Sequence, residues 1–176
     1  MIDIQQLLHE YNQGYRDFSS ISLHGCDLQG ITLSGANLSQ CDLSSADLSS
    51  ANLSRVQLAA ANLTNADLVA ADLSGAKLGG ANFIGADLSQ ASLVGADLSY
   101  SDLRSANLEA ADLRGANLTG AKVSGANLCN ANLTAACLDE TGLEDTDHDG
   151  ANLCQLREPV GNTVNGSQRW VSWGLH

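Results

Sequence analysis

The chain has 176 residues, a formal net charge of −12 and a pI near 4.3. That acidity argues against a membrane surface or a bare nucleic-acid backbone as partner, so no direct nucleic-acid binding and no membrane association are expected. The length allows one elongated domain. Five cysteines is an odd count, and with no export-type leader visible in the first residues a reduced, cytoplasmic compartment is the simpler expectation.

Taken in chain order, the first element is a helix. Ile2, Ile4, Leu7, Leu8 and Tyr11 recur at helical spacing, with Asp3 placed as N-cap and Gly14 as the C′ stop. The spacing predicts an amphipathic helix over 3–13, within an N-terminal capping segment 1–15. A partner-binding helix is the alternative.

From residue 16 the pattern changes. The stretch "SGANLSQCDLSSADLSSANLS", residues 34–54, places Leu38, Leu43, Leu48 and Leu53 five apart. Five steps rotate a helical side chain by roughly 140°, which scatters the leucines round the helix. On a strand, an odd spacing sends alternate leucines to opposite faces. The interval holds from Phe18 to Leu143, with Phe83 and Val123 as variants, breaks at His148, and returns in phase at Leu153. Two residues before each centre stands a small residue such as Ala36, Ala46 or Ala61, with Cys26, Cys41, Val56 and Ser101 as substitutes. Asp or Asn usually precedes the centre directly. A chain that turns a corner every five residues can bury the centre and the small residue together. Leu38, Leu43, Leu48, Leu53, Leu63, Leu68, Leu73, Phe83 and Leu88 are then the expected structural core. Glycine, or Asn65 and Asn130, two residues after the centre suits a corner with positive φ.

This pattern resembles the pentapeptide repeat family, whose consensus A-(D/N)-L-x-x it matches across roughly residues 16–155. The resemblance implies an all-β solenoid: a right-handed quadrilateral β-helix of about seven coils, on the order of 30–35 Å long. With the N-terminal helical cap, the expected division is 1–15 cap, 16–156 β-helix and 157–176 tail. Sorting the residue before each centre by steps of twenty supports a four-sided coil from the sequence itself. One column reads Asp27, Asp47, Asp67, Asp87, Asn107, Asn127, Asp147, and the other three hold fewer acids. Asp27, Asp47, Asp67 and Asp87 are therefore a candidate partner surface, against the plainer reading that Asp is a consensus choice interchangeable with Asn.

After Leu156 the repeat stops, and "RWVSWGLH" carries both tryptophans of the chain. Trp170 and Trp173 are either a lid on the last coil or exposed anchors for a partner or a dimer contact. "DTDHDG", Asp145–Gly150, resembles half of a calcium loop, but the twelfth position is Leu156 and Glu158 is displaced by two. A loosened last coil explains it better, so no metal is expected. His9, His24, His148 and His176 are dispersed, and the repeat inserts no loop from which to build a cleft. No cofactor and no catalytic residue is expected, and the chain is read as not an enzyme.

The expected function is a non-catalytic interaction or regulatory scaffold presenting polar, acidic faces to a protein partner. The resemblance also implies an alternative, a DNA mimic that binds DNA gyrase or another DNA-binding protein, and a third reading is a passive structural module. A monomer or an end-to-end homodimer fits each.

Overall fold

In the computed structural model, residues 4–138 and 143–157 are described. The first element, α1, spans Ile4–Asn12, slightly shorter than the spacing predicts; Asp3 lies outside the described residues. Its end is a Schellman motif: the Tyr15 N–H donates to Glu10 O and the Gly14 N–H to Tyr11 O, both at 3.0 Å, with Gly14 at φ 96°. The apolar side of α1 lies against the coil. Leu7 is fully buried, and Ile4, Leu8 and Tyr11 pack on the same core. The Tyr11 hydroxyl donates to Ser34 O at 2.9 Å, and the Arg16 guanidinium lies 4.0 Å from the Tyr11 ring centroid. Tyr15 and Phe18 meet edge to face at 5.4 Å.

Beyond α1 the chain is a parallel β-solenoid with one short bridge per side. Each residue before a centre pairs with the residue twenty positions on. One ladder runs Asp17, Asn37, Gln57, Lys77, Asp97, Asn117, Cys137, Arg157; a second contains Asp27, Asp47, Asp67, Asp87, Asn107, Asn127, Asp147. With a corner every five residues, a repeat of twenty is a coil of four sides. They are named below for their first-coil residues: the Asp17, Ser22, Asp27 and Thr32 sides. Backbone bonds stitch the coils together, as in Leu48 N–H to Asp67 O at 2.7 Å and Asp67 N–H to Ala46 O at 2.9 Å.

Each corner is a four-residue turn closed from the next small residue to the centre, as in Ala46 N–H to Leu43 O at 3.1 Å. Its third residue has positive φ at every fifth position from Ser20 to Ala135, and again at Gly150 and Gln155. Glycine occupies only some of these. Ala60 (φ 55°), Arg55 (φ 57°) and Tyr100 (φ 57°) adopt the same conformation, although a side chain there costs about 1–2 kcal/mol. The sequence suggests corners that need glycine or asparagine. In the fold, the ladder bonds on both sides of the corner impose the conformation on any residue.

The core is a stack of centres and small residues. Leu43, Leu48, Leu53, Leu63, Leu68, Leu73, Phe83 and Leu88 are fully buried, and Leu38 is within 1 % of it. Each such leucine is worth about 1.5–3 kcal/mol in transfer from water. Alanines two residues earlier, Ala46 and Ala66 among them, are equally enclosed. They let the backbone of one side pass close to the leucines of the next. Ser101 stands in an alanine position at no exposure because its hydroxyl donates to Leu98 O at 2.7 Å. The last coil departs from this plan. Asp145 is absent from the positive-φ series, Leu143 is half-buried, and His148, at a centre position, is exposed. Pairing nevertheless continues past Leu156: Arg157 bridges Cys137, one residue beyond the boundary the repeat suggests.

Candidate functional site

The residue before each centre does more than face solvent. Its side-chain oxygen accepts the backbone N–H two residues on, which fixes the entry to the corner. Asp27 accepts from Gln29 at 3.2 Å, Asp47 from Ser49 at 2.9 Å, Asp67 from Val69 at 2.9 Å and Asp87 from Ser89 at 2.9 Å. Asparagine makes the same bond, as in Asn52 to Ser54 and Asn62 to Thr64, both at 3.2 Å. This is why the pattern favours Asp or Asn. Where the residue two on is Ser or Thr its hydroxyl adds a second donor, as in Ser49 Oγ to Asp47 Oδ1 at 2.6 Å. That hydroxyl, followed by the Ser49 N–H, holds the Asp47 carboxyl below the usual carboxylate range; Ser44 does the same for Asp42 and Ser19 for Asp17. Residue types alone do not announce this bond. Its signature in the sequence is the free exchange of Asp with Asn, while the longer Gln stands at this place only at Gln57.

The four sides differ in what the carboxylates meet next. On the Ser22 side, Arg104 donates to both oxygens of Asp102 at 2.8 Å, and Lys122 approaches to 3.8 Å. On the Thr32 side, Arg114 grips Asp112 at 2.6–3.0 Å. These guanidinium contacts hold the Asp102 and Asp112 carboxyls low. Both pairs come from the same phrase, Asp-Leu-Arg, which occurs twice in the sequence. Elsewhere an asparagine amide donates down the ladder to an aspartate, as Asn37 does to Asp17 at 2.9 Å and Asn117 to Asp97 at 3.1 Å.

The Asp27 side is different. Asp27, Asp47, Asp67 and Asp87 are consecutive rungs, so the structure brings these four sequence-chosen residues onto one ladder. Glu109, Asp147 and Asp149 lie further along the same side, and among the described residues no Lys or Arg stands on it. Arg16, Arg55, Lys77, Arg104, Arg114, Lys122 and Arg157 all belong to the other sides. Cation-free segregation of this kind is invisible in a linear reading, where the basic residues look scattered. Toward the far end the ladder turns neutral: Asn107 donates to Asp87 and Asn127 to Asn107, each at 3.1 Å. Cys129, half-buried on this side, is held as a thiol by its hydrogen bond to Asp147, which pushes its pKa up.

Trp170 and Trp173 lie outside the described residues. Among the described residues, no group of three or more His, Cys, Asp or Glu side chains could hold a metal ion. His24 meets Ser44 Oγ at 2.8 Å and His148 turns back to Thr146 O at 3.1 Å, each in an exposed position. All five cysteines are free thiols, Cys41 buried and Cys154 exposed. No helix is long and apolar enough to cross a membrane among the described residues.

The pentapeptide repeats model matches in eight copies over residues 17–55, 51–90, 71–109 and 111–147. The chain belongs to the pentapeptide repeat family. Among solved structures, it is similar to a pentapeptide repeat protein of the Arabidopsis thaliana thylakoid lumen at 30 % identity, with 72 % of this chain and 81 % of that one covered and a TM-score of 0.47. It is 29 % identical to HetL of Nostoc sp. strain PCC 7120, a pentapeptide repeat protein involved in heterocyst differentiation regulation, over 92 % of this chain and 99 % of that one, with a TM-score of 0.28. QnrB1, a plasmid-mediated fluoroquinolone resistance protein, is 21 % identical over 81 % and 84 %, with a TM-score of 0.41. No curated protein sequence matches the chain.

Proposed function

We propose that the protein is a non-catalytic interaction scaffold whose Asp27 side docks the basic surface of a partner protein. One observation carries this: the side holds Asp27, Asp47, Asp67, Asp87, Glu109, Asp147 and Asp149 and not one Lys or Arg among the described residues, while every other described side mixes signs. Stacked carboxylates at ~4.8 Å repel by about 0.9 kcal/mol per neighbouring pair even at the dielectric of water. A basic partner relieves that cost and gains long-range steering toward a flat, rigid target. One oxygen of each aspartate is tied to its corner, so the carboxylates are oriented before the partner arrives and little side-chain entropy is lost on docking.

Mimicry of DNA toward gyrase or another DNA-binding protein is the second reading, favoured by the same side. Its charge spacing weakens it. One carboxylate per ~4.8 Å is sparser than one phosphate per ~3.4 Å of each duplex strand. A passive structural module is the third. A reduced cytoplasmic setting agrees with five free thiols, and a monomer or an end-to-end homodimer would both leave the four sides open.

The test is affinity capture from a native bacterial lysate at low and moderate salt. Wild type is compared with a variant carrying Asn in place of Asp27, Asp47, Asp67 and Asp87. Asparagine keeps the corner bond, so the variant is expected to fold. A protein retained by wild type alone, and released by salt, supports the Asp27 side as the site. A DNA-binding enzyme in that fraction promotes the second reading. Equal retention by both baits removes this side as the docking surface, and no specific retention leaves the passive rod.

A further inference from the structure

Among the described residues Tyr100 is the most exposed large apolar side chain, at 72 %, and it stands at a corner. At φ 57° it adopts the conformation that glycine takes at Gly80 and Gly120, the same corner one coil before and one coil after. No other aromatic residue among those described has a positive φ, and a bulky side chain there is an outlier that local packing must explain or function must. Tyr15, the other exposed aromatic, meets Phe18 edge to face at 5.4 Å; Tyr100 has no ring partner among the described residues. Its ring leans over Gly120, where a Cβ would come to 2.7 Å from Cδ1 and Cε1. On its other flank Gly79 and Gly80 carry no side chain to shield it. The backbone beneath is fixed, with the Tyr100 N–H donating to Thr119 O at 2.9 Å. An exposed ring on a rigid base loses little entropy when it is covered.

The charge around this corner runs against that of the whole chain. The corner joins the Asp17 and Ser22 sides, and over these coils they bring Lys77, Arg104 and Lys122 together with Asp97 and Asp102. Arg104 takes both oxygens of Asp102 at 2.8 Å, and Lys122 stands 3.8 Å from the same carboxylate at 67 % exposure. Lys77 is the rung next to Asp97, whose Oδ1 already accepts the Asn117 amide and the Ser99 N–H, each at 3.1 Å. Three cations thus face two carboxylates, a surplus of positive charge on a protein of net charge −12.

We propose that the Tyr100 corner is a second docking site, separate from the Asp27 side, for an acidic, extended segment of a partner protein. An apolar residue of that segment covers the tyrosine ring, and its carboxylates meet Lys77 and Lys122. Charge complementarity selects this occupant. The two lysines flank Tyr100 along the axis, and the step from one to the other is a little over two coils, about 11 Å. An extended chain covers that distance in about three or four residues. The Asp27 side lies opposite the Asp17 side in the four-sided coil and attracts the opposite charge, so the two sites do not compete.

The test pans the immobilised full chain against a displayed library of random twelve-residue peptides. Recovered peptides are then titrated, by fluorescence polarisation, with wild type, Tyr100→Gly, and a Lys77→Gln, Lys122→Gln variant. The expected peptides carry acidic residues on both sides of an apolar one, and their binding weakens as salt rises. Either variant should weaken it by at least about tenfold. Tyr100→Gly should fold and melt about 2–4 °C above wild type, because glycine takes a positive φ without strain. A lowered Tm instead would give the ring a structural task over Gly120 and overturn the proposal. So would a library that yields no peptide, or only basic ones, or acidic peptides that bind all three proteins equally. A dimer of wild type that Tyr100→Gly dissolves, seen by light scattering, assigns the corner to a second copy and overturns it as well.

Discussion

Asp67 and Asp112 occupy the same place in the repeat and make the same bond to the backbone two residues on, Asp67 to Val69 at 2.9 Å and Asp112 to Arg114 at 3.2 Å. Around them the chemistry diverges. Arg114 returns its guanidinium to Asp112 at 2.6 Å, so that charge is neutralised where it stands. Asp67 has aspartates on the rungs above and below it, Asp47 and Asp87, and no Lys or Arg among the described residues of its side. The backbone does not distinguish the two sides. The residue before the centre makes the corner bond whether or not its charge is neutralised, so the charge of a side can change while the corner stays the same. A solenoid of this kind keeps its scaffold while the outward positions decide whether a side is neutral, mixed or acidic.

The comparison can be broken from inside first. Leu68→Asp, beneath the Asp67 rung, puts a carboxylate at a fully buried site. It should cost more than about 4 kcal/mol and unfold the coil cooperatively, because each coil is held only by its neighbours. Retained circular dichroism and an unchanged Tm would mean that the inside and outside of the repeat have been assigned wrongly.

A smaller effect separates the two jobs of the aspartate. Asp67→Ala removes the acceptor of the Val69 N–H and should cost about 1 kcal/mol. Asp67→Asn keeps it, relieves repulsion along the ladder, and should stay within about 0.5 kcal/mol of wild type or rise slightly. Equal losses from both substitutions would show that charge, rather than the corner bond, is what stability needs at this rung.

The strain at the corners gives an effect of similar size and opposite sign. Ala60 sits at φ 55°, a conformation glycine accepts freely, so Ala60→Gly should raise stability by about 0.5–1 kcal/mol in a denaturant melt.

The paired sides offer the smallest change, and it depends on pH. Asp102 and Asp112 have lowered pKa values in the fold, through Arg104 and Arg114. Their contribution is therefore present above the unfolded carboxylate value near ~3.9 and is lost as pH falls through the lower folded value. Both arginines are about half exposed, so solvent screening keeps the contribution of each pair small. Arg104→Ala with Arg114→Ala should lower Tm slightly at pH 7 and make no difference in acid strong enough to protonate both aspartates. A difference that persists there would assign the arginines a packing role instead.

Much of this is legible in the amino-acid sequence. A five-residue interval fits no helix or flat strand, so Leu38, Leu43, Leu48 and Leu53 demand a corner every five residues without any coordinate. The step of twenty that gathers Asp27, Asp47, Asp67 and Asp87 is also readable, because repetition writes the same instruction into every unit. α1 is visible in the spacing of Ile4, Leu7, Leu8 and Tyr11. Other features are not legible. The bond from Asp67 to the Val69 N–H is made within one corner but depends on backbone geometry that residue types alone do not specify. The segregation of Lys and Arg away from the Asp27 side emerges only when residues twenty apart become neighbours.

Sequence by itself determined the period, the buried column and the place of each turn, since these follow from which side chains avoid water. Tertiary structure decided the rest. It placed Ala60, Arg55 and Tyr100 in a conformation their own preferences disfavour, because hydrogen bonds to the coils above and below outweigh about 1–2 kcal/mol of local strain. It also turned scattered charges into one acidic side and three mixed ones, because the coil brings each rung within ~4.8 Å of the next.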